Sequence, residues 1–502
     1  MSTVIAIGIF LPLATGLLTM ALPGRFARWL LLASSFAVLV FAIVMLVKFP
    51  SHGGGLHWVT KDNWISELGI KYSLGINGLN LVLVLLTALL WFPATLAACF
   101  REWDRPRLFF FNMGLAQTAV LGAFISQDLA LFAVFFDLML VPFYFLIGGW
   151  GEGDRVRATT KFVIYTLVGS LFMLAGVVAL GVISTPSGGH ISFEYSDLIA
   201  HHVSAGSQYW IFFLFAAAFL VKMPAFPLHG WMPDAYLSTP IPVLVLLSGV
   251  LSKVGAYGFL AIVLPIMPDA SRHFQELMIV VAVVSILYGS ALAFSQDNAR
   301  LVVGYSSVAQ LGFITLGIFA LDPKGTQGAI IQMLNHGLVV APLFLIIAAL
   351  AARARGTESL REMGGIAFRA PVLAALFLIV ALATLAMPGS SNFVGEILIL
   401  FGAFDQKLAY GIVASVGVVL ASVYMIRFYQ RSMHNRIGGD VESRDLALPD
   451  LATIVPLVGV ILALAVYPQI VLQRSEPTAN AILGSQTVAS GGLAQANLRN
   501  VP

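Results

Sequence analysis

Four charged residues stand inside long apolar stretches of this sequence: Asp137, Lys222, Lys253 and Glu396. At a bilayer centre each costs about 2.5–3.5 kcal/mol on insertion scales unless it faces protein or water, so each needs a reason to be there. Two acids and two bases can pass a proton along, since each changes charge by gaining or losing one. Asp137 lies nine residues after Asp128. At 1.5 Å per residue that is about 14 Å, close to the midplane of a 30 Å hydrocarbon core, where so short a side chain cannot reach the surface. The bland alternative is two static ion pairs gluing helices together. Lone residues of both signs on four helices, and the uncertain stability that buried pairs supply, argue for a relay instead.

Polar groups on the same stretches can join the charges: His336, Gln310, Ser306, Ser307, Ser248, Ser252, Asn335 and Tyr305. His336 is the strongest of them, because an imidazole takes a proton on one nitrogen while releasing one from the other. His229, just after Pro227, is a candidate proton entrance. His190, His201 and His202 fall in a polar connecting segment and read as solvated histidines.

The elements that must hold these groups are membrane helices. Charged residues make up 10% of the 502 and hydrophobic residues 59%, against roughly 25% charge in a soluble domain. The net charge of +3 comes from cations scattered through short connections, which leaves no footprint for nucleic acid. A single cysteine, Cys99, excludes an internal disulfide, a thiolate-bound iron–sulfur cluster and a cysteine zinc site. Any redox chemistry therefore belongs to other chains. The stretch from Val4 to Leu22 lacks a basic leader and reads as a first membrane helix.

At about 20 apolar residues per span, hydropathy predicts fourteen helices, near 3–22, 29–48, 76–99, 108–125, 128–149, 160–183, 209–228, 241–264, 275–294, 300–320, 326–352, 370–403, 408–427 and 451–471. With both termini outside, Lys and Arg concentrate in the inner loops, for example Arg101/Arg105/Arg107 and Arg353/Arg355/Arg361/Arg369, as the positive-inside rule requires. The chain also echoes itself. Ser126-Gln127-Asp128 matches Ser295-Gln296-Asp297, Ser170-Leu171-Phe172 lines up with Pro342-Leu343-Phe344, and Met223-Pro224 with Met387-Pro388, each about 170 residues apart. Ordered echoes favour a duplicated five-helix unit, and an odd number of helices per unit inverts the second copy, as in many transporters. The expected layout is helices 1–3 in 1–107, one repeat in 108–264, its inverted copy in 265–430, and a last helix and tail in 431–502.

Backbone breaks fall beside the charges. Pro142 deprives the Leu138 carbonyl of its helical donor, and Pro224 and Pro227 do the same to Leu220 and Met223 next to Lys222. Those carbonyls are expected to turn to water or side chains. Met387-Pro388-Gly389-Ser390-Ser391-Asn392 is too polar and turn-prone for continuous helix, and it leads into Glu396. Interrupted helices at matching places in two halves are the pointer to an ion pathway.

Several strings are long enough to carry a family resemblance: Phe136-Asp137-Leu138-Met139-Leu140-Val141-Pro142; Lys222-Met223-Pro224 with Pro227-Leu228-His229-Gly230-Trp231-Met232-Pro233-Asp234-Ala235; Lys253-Val254-Gly255-Ala256-Tyr257-Gly258; Tyr305-Ser306-Ser307; and Gly389-Ser390-Ser391-Asn392-Phe393-Val394-Gly395-Glu396. The chain resembles the antiporter-like subunits of respiratory complex I, NADH-quinone oxidoreductase, most closely those of the M type. The resemblance implies a fourteen-helix fold with two inverted five-helix repeats and a polar axis halfway across the membrane. It places the family's helix-five acid at Asp137, its lysines at Lys222 and Lys253, its helix-eleven histidine at His336 and its helix-twelve glutamate at Glu396. The chain departs from the pattern twice. Asp137 is one methylene shorter than the usual glutamate, so contact with Lys222 needs a shifted helix or a bridging water. Gln310 replaces a frequent histidine and cannot itself carry charge.

The implied function is proton translocation along Asp137, Lys222, Lys253, His336 and Glu396, supported by Gln310, Ser306, Ser307 and His229. Quinone reduction in other subunits would supply the energy. No cofactor or metal is expected in this chain; NADH, FMN, iron–sulfur clusters and quinone belong to partner subunits. The implied partners are the other membrane and peripheral subunits of complex I, adjacent antiporter-like subunits and the lipid bilayer of a prokaryotic plasma membrane. The alternatives are the large subunit of a multisubunit cation/proton antiporter, or of a related membrane-bound hydrogenase.

Overall fold

The computed structural model describes residues 2–186, 189–434, 441, 442 and 444–498. Among them, twelve helices are long and apolar enough to cross a membrane, so the chain is a multi-pass membrane protein. In order they and their companions are α1 (Ser2–Ala21), α2 (Gly24–Lys48), strands β1 (His57–Ile65) and β2 (Ile70–Ile76), α3 (Gly78–Cys99), α4 (Pro106–Ile125), α5 (Leu129–Leu138) and α6 (Leu140–Trp150). There follow α7 (Arg155–Ile183), the short α8 (Tyr195–Ala200), α9 (Ala205–Lys222) and α10 (Met232–Ser238). A composite helix, α11, runs over Ile241–Ile266. The rest are α12 (Gln275–Ser295), α13 (Ala299–Phe319), α14 (Pro323–Arg353), α15 (Pro371–Thr384), α16 (Ser391–Met433), α17 (Leu448–Val466) and α18 (Gln469–Leu498).

Burial is unequal, and the inequality locates the core. The apolar window of α11 is 100% buried, that of α14 94% and that of α13 89%, whereas α2 and α17 are each 33% buried. Three helices therefore form an axis, with α3 and α4 also largely buried beside it and helices such as α2 and α17 on the outside. Close backbone approach makes this possible: a methyl group on Gly337 of α14 would sit 2.8 Å from the Gly249 carbonyl of α11. Small residues at helix crossings supply van der Waals contact where lipid offers no hydrophobic drive.

Two helices start from similar anchors. Asp128 caps α5, its Oδ1 accepting from the Ala130 and Leu131 amides, while Leu129 N donates to Phe193 O and Tyr195 N to Gln127 O. Asn298 caps α13 through the Arg300 and Leu301 amides, while Ala299 N donates to Glu358 O and Leu360 N to Asp297 O. The Arg361 and Arg431 guanidiniums further grip Asp297 and hold its carboxyl below the usual carboxylate range.

The expected helix boundaries need four corrections. The helix expected over 209–228 stops at Lys222, because Pro224 and Pro227 cannot donate. The spans expected at 370–403 and 408–427 become α15, a six-residue break, and a long α16 interrupted by the non-helical backbone of Lys407. The antiparallel β1–β2 hairpin was not foreseen, since its Thr60-Lys61-Asp62-Asn63 stretch carries little strand signal. Nor was α18, which is not apolar enough to read as a membrane helix and owes its place to docking against α3 and α14.

That docking is tight at the start of α3. Gly78 N donates to Thr478 Oγ1 at 3.0 Å, and a side chain at Gly78 would run into the Arg474 carbonyl. Gly78→Ala is therefore expected to cost about 1–3 kcal/mol and to release α18 to protease. Gly206→Ala, at a position with open space, serves as the control, both read by limited proteolysis and thermal unfolding.

Candidate functional site

The first half of the axis is built at a proline break. Asp137, in the last turn of α5, is half-buried; its Oδ1 has no hydrogen-bond partner, and the groups acting on its carboxylate are the Ser170 hydroxyl and the Lys222 charge. Among the described ion pairs none joins Asp137 to Lys222. Instead the Lys222 ammonium, 2% exposed, sits over the Phe136 ring at 4.4 Å from its centroid. A desolvated cation over an aromatic face gains about 2 kcal/mol. The aspartate's short reach thus leaves the lysine on a neighbouring ring, with the two charges interacting through space.

Lys222 is also the last residue of its helix. The carbonyls freed there find protein donors: Ala225 N reaches Leu220 O at 3.0 Å, and the Trp231 indole donates to Val221 O at 2.9 Å. One widened backbone bond thus does for Leu220 what water or a side chain was expected to do. Phe226 N is taken up by the Ser285 hydroxyl of α12 at 3.0 Å.

Lys253 lies at the centre of α11 between two π-helical turns, Leu247–Leu251 and Phe259–Val263. Such turns widen a helix, shift its hydrogen-bond register and occur frequently at functional sites. Here the Ser248 carbonyl accepts from Lys253 Nζ at 2.9 Å and from Ser252 Oγ at 2.7 Å. Lys253 Nζ also donates to Ser252 Oγ at 3.2 Å, and the Ser248 hydroxyl is 3.5 Å from that of Ser307. No carboxylate pairs with this fully buried lysine among the described ion pairs. The Lys253 charge acts on the buried His336 imidazole.

The second half surrounds Glu396, 2% exposed near the start of α16. Gln310 Nε2 donates to Glu396 Oε1 at 2.7 Å, and Gln332 Nε2 donates to Gln310 Oε1 at 2.8 Å. Glu396 Oε2, Gln332 Oε1, Asn335 Oδ1 and both ring nitrogens of His336 are buried without a protein partner. The amide of Asn335 closes the helix break by donating to the Ser391 carbonyl at 2.7 Å. Met387 N reaches Leu382 O at 3.1 Å at the start of that break, the same five-residue bond that opens the break at Lys222. Ser306 Oγ lies 3.0 Å from the Tyr424 hydroxyl.

Of the residues singled out in the sequence, Lys253, Ser307, His336, Gln310, Ser306 and Glu396 therefore lie on the three buried axis helices and the start of α16. Asp137 and Lys222 adjoin through Phe136. His229 stands apart in the Leu228–Trp231 turn, among the rings of Phe226, Tyr288 and Tyr305, with its Nδ1 unpartnered. His201 is exposed and bonds the Asp197 carbonyl. No group of three metal-ligating side chains occurs among the described residues. Three contributors escaped the sequence reading: Phe136 as a cation's seat, Gln332, and Tyr424. Gln332 was findable, since it precedes His336 by four residues and so shares its helix face.

A family model described as "NADH:quinone oxidoreductase/Mrp antiporter, TM" matches residues 126–421, which hold all of these groups except Tyr424. The chain belongs to the NADH:quinone oxidoreductase/Mrp antiporter membrane family. Within that family, NADH-quinone oxidoreductase subunit M of Rickettsia conorii is 32% identical over 93% of this chain and 96% of its own length. A chain of respiratory complex I from Thermus thermophilus superposes with a TM-score of 0.87 at 29% identity, covering 96% of this chain and 99% of that one. A chain of the Mrp complex from Dietzia sp. shares the fold, with a TM-score of 0.83 at 22% identity over 96% and 97%. Because the Val221 carbonyl at the break beside Lys222 is satisfied by one indole N–H, Trp231→Phe should leave it unsatisfied. The expected cost is about 1–3 kcal/mol, read as a lowered unfolding temperature of the purified protein.

Proposed function

We propose that this chain is the proton-conducting membrane subunit of a proton-pumping NADH-quinone oxidoreductase in a prokaryotic plasma membrane. The observation that carries the reading is the set of buried ionisable and amide groups Lys222, Lys253, Gln310, Gln332, His336 and Glu396, with the half-buried Asp137, in a family member whose relatives are named subunit M. NADH, FMN, iron–sulfur clusters and quinone sit in partner subunits, and neighbouring antiporter-like subunits share the membrane with it.

Its architecture is fourteen spans with two inverted five-helix repeats. The count follows if α1 crosses, if α15 and the first part of α16 form one broken span, and if the part after Lys407 forms another. Similar helix anchors at Asp128 and Asn298, and the matching five-residue bonds at the two breaks, support the duplication. They pair Asp128 with Asn298, one residue beyond the pairing with Asp297 read from the tripeptides. The domain layout is then 1–107, 108–264, 265–430 and 431–502.

In the mechanism, Asp137 favours the charged form of Lys222 through space. When a conformational signal from the adjoining subunit weakens that influence, burial expels the proton, and each pKa unit of bias is worth 1.36 kcal/mol. The proton passes to Lys253 and His336. The Gln332–Gln310 pair orients the Glu396 carboxylate, and the unpartnered Glu396 Oε2 faces the next carrier. Buried polar atoms of this kind take ordered water as partners, and water supplies the step that the Gln310 amide cannot. Ser306 and Ser307 line the route, and His229 admits protons.

The family's printed description also covers an antiporter, and the shared fold with the Mrp chain fits a cation/proton antiporter as a second reading. Genes encoding NADH- and iron–sulfur-bearing subunits beside this one favour the first. In the assembled complex in proteoliposomes, Lys222→Met and Glu396→Gln should each abolish or sharply reduce NADH-driven proton translocation, with or without sodium ions. Full pumping in either variant would overturn the relay. Asp137→Glu, one methylene closer to Lys222, should retain pumping where Asp137→Asn loses it.

A further inference from the structure

A cleft of about 430 Å³ opens beside the β1–β2 hairpin, walled by α8, the far end of α11 and α18. Its walls are apolar, with Leu56, Val59, Leu260 and Ile482 among them. Lys61, its side chain 51% exposed, pairs with Glu194 at 2.6 Å among the lining residues, and Lys71 holds the same carboxylate at 2.7 Å. At the deep end are two tyrosines. Tyr195 is 7% exposed and its hydroxyl has no protein partner; Tyr257 is 1% exposed and its hydroxyl bonds the Asn80 side chain. A buried hydroxyl without a partner is uncommon and calls for an explanation. The Tyr257 ring is packed edge-on against Phe124 at 5.3 Å and tilted against Phe132 at 6.1 Å.

Tyr257 follows Lys253 by four residues, so it shares that helix face about 6 Å further along. In the structure Lys253 Nζ turns the other way, to the Ser248 carbonyl. A lysine stem is flexible enough to take either direction. Lys253 thus has an acceptor on one side and, one turn away on the other, a hydroxyl that lines a cleft.

We infer that this cleft is a branch off the relay that releases protons on the hairpin face, fed by Lys253 swinging from Ser248 to Tyr257. The inference rests on the relay role proposed for Lys253. Lys253 gives up one proton and becomes a neutral amine. The Tyr257 and Tyr195 hydroxyls each accept one proton on oxygen and release their own, so neither ring ends charged. The Glu194 carboxylate, held between two lysines, takes the proton and passes it to bulk water. Packing against Phe124 and Phe132 leaves the tyrosine hydroxyl as the gated link between lysine and cleft.

The test uses the assembled complex in proteoliposomes. Tyr257→Phe keeps the ring and removes only the hydroxyl, and is expected to lower proton release per NADH oxidised. Ile482→Cys, modified with a bulky membrane-impermeant maleimide from the hairpin face, should lower it as well; the native Cys99 is buried. Undiminished proton release in Tyr257→Phe, or in the maleimide-filled cleft, overturns the inference. Lys253→Met separates the two readings: if it fails to pump while Tyr257→Phe pumps fully, the relay stands and this route falls. If Lys253→Met pumps fully, both fall.

Discussion

The structure depends on the cost of holding charge in hydrocarbon. An ammonium or carboxylate taken from water into a low-dielectric interior loses hydration worth many kcal/mol unless something replaces it. Here the replacements are graded. Lys222 receives an aromatic face and a through-space carboxylate, Lys253 a carbonyl and a hydroxyl, and Glu396 two carboxamides on one oxygen, a close one and a longer one. None of the three has a full counter-ion within contact among the described ion pairs. Groups held so loosely can change protonation at modest energy, whereas tight buried pairs would lock one state in place.

That constraint shapes the helices as well. A buried lysine needs an acceptor, and a helix carbonyl can offer one of its two lone pairs. The π turns on either side of Lys253 shift the backbone register there, and one of them contains the Ser248 carbonyl to which the lysine donates. The two broken helices meet the same need at Lys222 and before Glu396. Each break opens with a five-residue backbone bond, and irregular backbone persists at membrane depth where protein surrounds it. The lipid-facing jacket can then stay regular and apolar. Lys253, Gln310 and His336 lie on the three most buried helices, while Asp137, Lys222 and Glu396 lie on helices packed around them.

The hairpin and α18 lie on one face of this bundle and carry little of the apolar signal that defines the rest. Their polar sequences are held by specific bonds, such as Gly78 N to Thr478 and Lys71 Nζ to Glu194. They enclose the cleft that reaches within a helical turn of Lys253. An extramembrane cap is in this way joined mechanically to the buried axis.

What the sequence determined by itself was whatever depends on local chemistry. Membrane residence follows from composition. The four charges stand out because apolar neighbours surround them, and the helix breaks follow from prolines that lack an N–H. Only the tertiary structure decided which groups meet. Lys222 rests on Phe136 instead of touching Asp137, Gln332 joins Gln310 to Glu396, and Tyr424 faces Ser306 across more than a hundred residues of chain. The π turns and the docking of α18 were likewise beyond the sequence. Such partners are chosen by the close approach of helices distant in sequence, and neither periodicity nor spacing records which helices pack together.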